Sequence, residues 1–148
     1  MRAPRATAAA CLLLLLPLLG ACADRRDAYC SAVEGHQEEL TRIASDGERV
    51  SLLGALEIFR DLESRAPGDI TDEWQQVVGR IEELDAALRA ADVDPTTYDR
   101  KDPPADLGDE DRARIDAAAR ELGSATTRQA LLDLDQQARD VCHTPLSL

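Results

Sequence analysis

The sequence predicts an all-α protein, a single bundle of about five helices that follows a cleaved signal peptide. Three observations predict it. Apolar residues recur at three- and four-residue spacings in five separate stretches. Ser, Asp, Gly and Pro stand at the ends of those stretches, where helices start and stop. No run alternates apolar and polar residues for long enough to make a strand.

The first helix is expected over residues 24–45, capped by Asp24. Tyr29, Val33, His36, Leu40 and Ile43 share one face, and Asp46-Gly47 ends it. Ser51 is placed to cap a second helix over 52–65, with Leu52, Leu53, Leu56, Phe59 and Leu62 on its apolar face and Pro67-Gly68 as the stop. Asp69 is the expected cap of a third, and Asp72 and Glu73 in its first turn favour the helix dipole. Its stripe of Ile70, Trp74, Val77, Val78, Ile81, Leu84 and Leu88 is the clearest in the chain, and it ends by Asp94-Pro95. Residues 92–108 hold three Pro, five Asp and one Gly and read as an irregular connection. The acidic run Asp106 to Asp111 resembles a helix start. A fourth helix follows over 109–122, built on Ile115, Ala118, Ala119 and Leu122, with Gly123 closing it. A fifth, over 126–142, uses Leu131, Leu134, Ala138, Val141 and Cys142.

The segment before these helices carries a different signal. Arg2 and Arg5 make a positive start with no acid beside them. Residues 8–19 form an apolar run shorter than the ~20 residues that a membrane span needs. Leu19, Gly20, Ala21 and Cys22 follow, small residues before a cysteine, and resemble the lipobox of bacterial lipoproteins. That resemblance implies a diacylglyceryl group on the Cys22 thiol and cleavage before it, so that residues 1–21 are the signal peptide and 22–148 the helical domain. Two acyl chains meet the two-signal requirement for stable anchoring.

The chain has 17 basic and 29 acidic residues. Removing Arg2 and Arg5 with the leader leaves 15 basic residues and a net charge of −14. Such a domain has no electrostatic footprint for nucleic acid. An anionic lipid surface repels it, so the lipid is the expected membrane contact, not the protein surface. Aromatic residues make up 3% of the chain, too few for stacking platforms.

Cys30 and Cys142 are the thiols left once Cys11 goes with the leader and Cys22 takes lipid. An exported compartment is oxidising, so a structural disulfide is the expected state. A redox or metal pair is the rival reading. No C-x-x-C exists, and only His143 adjoins either cysteine. The bridge also limits topology. Five helices alternating in direction would leave the two cysteines at opposite ends. The 92–108 connection is long enough to return the chain, so the fourth helix is expected parallel to the third and the fifth antiparallel to the first.

Chemistry-bearing residues are few. His36 lies in an apolar stripe and reads as a half-buried histidine held by a carboxylate, with a pH switch or metal ligand as the sharper alternative. Asp85 is placed to pair with His36 or with an arginine. Asp92, Asp94, Thr96 and Asp99 begin like a calcium loop, but its sixth and twelfth positions are Thr97 and Pro103, which breaks the pattern. Trp74 reads as a core anchor. No nucleophile elbow, zinc-protease helix, P-loop or dinucleotide fingerprint occurs. The expectation is therefore no enzyme, no catalytic residues, no metal and no cofactor beyond the lipid.

The lipobox, the Tyr29-Cys30 start, the segment VDPTTYD at 93–99 and the Val141-Cys142 end with its TPLSL tail together resemble small actinobacterial lipoproteins. The resemblance implies export, lipidation and a helical domain, and brings no activity or ligand with it. The function expected is a membrane-anchored, non-catalytic interaction module of the cell envelope with an envelope protein as partner. The alternative is a small-ligand or metal-binding lipoprotein with a pocket between helices near His36 and Trp74.

Overall fold

In a computed structural model, residues 17–45, 51–95 and 97–146 are described. The early leader (1–16), the expected Asp46-Gly47 turn, Thr96 and the last two residues lie outside them. Among the described residues there are six α-helices and no strand. They are α1 (Pro17–Ser45), α2 (Ser51–Gly54), α3 (Leu56–Arg65), α4 (Thr71–Ala90), α5 (Asp109–Leu122) and α6 (Ala125–Gln137). The all-α expectation holds, with local corrections.

The expected 52–65 helix breaks at Ala55, directly after Gly54, where the lack of a β-carbon weakens the helix. Leu56, Phe59 and Leu62 of α3 are buried as the stripe requires. Asp24 is not a cap, because α1 already runs from Pro17 and passes through it. Asp69 sits in a short 3-10 turn, Gly68–Ile70, and α4 begins only at Thr71. Asp72 and Glu73 remain in the first turn of α4, where acids favour the dipole. At its far end Asp92 adopts a left-handed φ of 54°, and Val93 N–H donates to Leu88 C=O at 3.0 Å. That is a left-handed helix stop, a conformation Asp tolerates better than most residues.

The largest correction concerns direction. Leu84, Ala87 and Leu88 of α4 share an apolar cluster with Ile115 and Ala118 of α5. Glu121 exerts its charge on Arg80, and Gln76 Nε2 donates to Thr127 Oγ1 at 3.1 Å. As numbers fall along α4 they rise through α5 and on into α6. Both helices therefore run antiparallel to α4, end to end in one broken column. Gly123 and Ser124 make a kink rather than a reversal. Gly123 N–H still donates to Ala119 C=O at 3.0 Å, and Ser124 accepts from Thr127 N–H as the cap of α6. The expected parallel fourth helix does not form. Four columns alternate in direction instead: α1, α2 with α3, α4, and α5 with α6.

That arrangement makes α1 and α6 antiparallel and brings Cys30 to Cys142. They form a disulfide with Cα atoms 5.0 Å apart across 112 residues of sequence. After Gln137 the chain widens into a π-turn, Ala138–Cys142. The extra residue per turn shifts the register, so that Cys142 turns inward and Val141 outward. His143, at φ 57°, then reverses the chain. Leu146 returns to the core, fully buried, its N–H donating to Asp135 Oδ1 at 2.9 Å.

A main core formed by α1, α3, α4 and α6 surrounds Trp74, Tyr29, Phe59 and Leu62. The smaller cluster of Ala87, Leu88 and Ile115 occupies the opposite end, with Val93, Tyr98 and Leu107 of the connection packed onto it. Replacing both bridge cysteines by serine is expected to lower the unfolding free energy by about 4 kcal/mol, since the closed loop is long. Chemical denaturation of oxidised and double-variant protein, with the bridge checked by thiol labelling, measures this.

Candidate functional site: the bridged end of the bundle

The residues singled out in the sequence gather mainly at one end of the bundle. α1 enters it as an unbroken helix from Pro17, and Cys22 lies within that helix. The Cys22 side chain is outside the described atoms. From Asp24 to Ala28 every side chain is exposed, and Tyr29 is the first to be buried. The helix thus projects beyond the core by the stretch that precedes the bridge.

Tyr29 and Trp74 weld this end together. Trp74 Nε1–H donates to the Tyr29 hydroxyl at 3.3 Å, and the rings meet edge to face with centroids 6.4 Å apart. Phe59 adds a second aromatic contact to Trp74 at 5.6 Å. Both Tyr29 and Trp74 are fully buried. Burial pushes the Tyr29 hydroxyl up to about 12, against a smaller opposing effect of the Trp74 hydrogen bond. Trp74 is therefore a core anchor, as its helical position implied.

His36 finds a carboxylate. Its Nε2 lies 3.0 Å from Asp61 Oδ2, across the seam of α1 and α3, with both side chains about one-third exposed. Arg65 also donates to Asp61, Nη2 to Oδ1 at 2.8 Å. The Arg65 hydrogen bond, followed by that of His36, holds the Asp61 carboxyl below its usual range. Asp85 pairs with Arg89 at 2.7 Å and not with His36. Arg60 joins α3 to α4 through Glu82 at 2.8 Å, and Arg100 ties the connection to α5 through Asp116 at 2.7 Å.

An open groove of about 650 Å³ lies between α4 and α6, lined by Asp72, Glu73, Gln76, Ala125, Thr126, Gln129, Ala130 and Asp133. Its wall is mostly apolar surface with the carboxylates of Asp72, Glu73 and Asp133 around it, and His36 and Trp74 are not among its lining. Sequence reading missed it because it depends on α6 lying antiparallel to the first turns of α4. Among the described residues no three His, Cys, Asp or Glu side chains converge as metal ligands would. No described helix is long and apolar enough to cross a membrane.

Comparison with known proteins adds nothing to this geometry: no family profile matches the chain, and neither a curated protein nor a solved structure matches it.

The raised Tyr29 value has a consequence at alkaline pH. The unfolded hydroxyl ionises near 10 and the folded one near 12, so the unfolded chain sheds a proton that the native one keeps. The contribution is complete below pH 10 and is lost as pH rises toward 12, on the order of 2 kcal/mol. Denaturation midpoints across that range, with tyrosinate absorbance as a second signal, measure it. Tyr29→Phe is expected to flatten the alkaline decline while lowering stability near neutrality by about 1–3 kcal/mol, because the Trp74 N–H loses its acceptor.

Proposed function

We propose that the chain is an exported lipoprotein, held on the extracytoplasmic face of the cell membrane by a diacylglyceryl group on Cys22, whose helical domain is a non-catalytic interaction module of the envelope. The observation that carries the reading is the leader itself. A positive start, a short apolar run and the Leu19-Gly20-Ala21-Cys22 sequence stand together ahead of an acidic domain. The Cys30–Cys142 bridge supports it, since such bonds persist where the surroundings are oxidising. The module reading rests on a domain whose aromatic side chains serve packing and whose His36 is paired with Asp61. Its partner is an envelope protein that meets the exposed acidic surface or the proline-bearing connection at 91–108.

A second reading has one observation in its favour, the groove between α4 and α6. Its carboxylates set around a mostly apolar wall suit a small cationic ligand with an apolar body. Native mass spectrometry of protein purified from its own host distinguishes the readings. A retained small molecule supports the ligand-binding form, and a bare protein mass counts against it.

Cys22→Ser is expected to move the protein from the membrane to the soluble fraction. Leader cleavage must be followed on the same gel, because an uncleaved apolar segment retains protein at the membrane by itself. Wild-type protein that is soluble and has no acyl mass on Cys22 overturns the proposal.

A further inference from the structure

We infer that α1 acts as a rigid spacer that holds the bridged end of the bundle facing the lipid surface at a short, fixed stand-off. This rests on the lipid anchor proposed for Cys22 and adds to it how the domain is presented. Three features carry it.

The first is continuity. Pro17–Ser45 is one helix, so Cys22 and Cys30 belong to the same rod. Eight residues at the helical rise separate them by about 12 Å. No glycine or proline lies between them to serve as a hinge.

The second is how firmly that rod is fixed to the domain. Tyr29 is buried against Trp74, and Cys30 is bonded to Cys142 at the end of the last column. His36–Asp61 fastens the same helix to α3 further on. A tilt of the rod must therefore carry the whole bundle with it. An extended or Gly/Ser tether of the same length would transmit no orientation.

The third is charge. The bridged end exposes Asp69, Asp72 and Asp140, while its exposed Arg65 and Arg139 are each paired with a carboxylate, Asp61 and Asp135, and on the rod Asp24 and Asp27 balance Arg25 and Arg26. An acidic end is repelled by an anionic leaflet. It does not settle onto the headgroups, so the helix length and not adhesion sets the distance. The opposite end, closed by the 91–108 connection and Tyr98, then faces outward, where a second protein can reach it.

Trp74, the single tryptophan, reports the stand-off. It lies at the level of Tyr29, one residue from the bridge. The test uses full-length protein extracted from membranes and reconstituted into vesicles of phosphatidylcholine and phosphatidylglycerol carrying dansyl-phosphatidylethanolamine. Energy transfer from Trp74 to the dansyl headgroups is then measured. The wild type should transfer efficiently. Inserting Glu-Ala-Ala-Lys between Asp24 and Arg25 lengthens the rod by about 6 Å with only about 40° of net rotation. It should cut transfer roughly in half. Inserting Gly-Ser-Gly-Ser at the same place should instead broaden the donor lifetimes, because the end becomes free to wander. The insertion site lies in the exposed stretch, so helical content and the Trp74 emission in detergent should match the wild type in both variants.

Equal transfer in wild type and the helical insertion, or identical behaviour of the two insertions, overturns the rigid spacer while leaving the anchor standing. Intact mass of the extracted protein is taken first. A Cys22 without acyl mass overturns the anchor and the spacer together.

Discussion

A covalent bond between the first helix and the end of the last one limits every arrangement of the segments between them. Cys30 and Cys142 can meet only if α1 enters the bundle at the face where the α6 column ends. With short turns, that requires an even number of directions, and the chain achieves it with four columns. The kink at Gly123-Ser124 is what reduces five helical stretches to four directions. It lets α5 and α6 share one course along the 20 residues of α4. The long connection at 91–108 is then free to cover the end of a helical hairpin. Val93, Tyr98 and Leu107 give it an apolar underside.

The bridge does not stand alone at its end of the molecule. Tyr29 precedes Cys30 and supplies the acceptor for the Trp74 N–H, which would otherwise be buried without one. Asp135 receives the backbone N–H of Leu146 and also the Arg139 side chain, so the segment after Cys142 is folded back and held. The π-turn at Ala138–Cys142 supplies the register that makes these contacts compatible. The charged pairs on the outer faces contribute much less each, because most of their side chains are well exposed.

Much of this was legible in the sequence, for identifiable reasons. The helix at 109–122 was readable to the residue because both of its ends carry strong signals, an acidic first turn and a glycine stop. The stripe of α4 was readable because Trp74, Val77, Val78, Ile81 and Leu88 are all buried. The bridge followed from compartment and count. What was not legible depends on long-range geometry. Gly123 marks the end of a helix equally well whether the chain turns back or merely bends. The partner of His36 could be named by type, and Asp61 is chosen only because α3 lies antiparallel beside α1. The return of Leu146 to the core was not legible because a left-handed His143 has no sequence signature. The groove between α4 and α6 shares that dependence.

The two apolar clusters are unequal, and that inequality sets where the molecule yields. The main core is closed by the disulfide and by the Tyr29–Trp74 contact. The far cluster has three buried residues, Ala87, Leu88 and Ile115, and a loop for a lid. Backbone amides at the end of α4 and the start of α5 should therefore exchange with solvent through partial openings that leave Trp74 enclosed. Such openings are expected to start at the unbridged end, with the bonded end as the pivot. A protein gripping that distal end would meet a surface able to reshape, joined to a base that keeps its form.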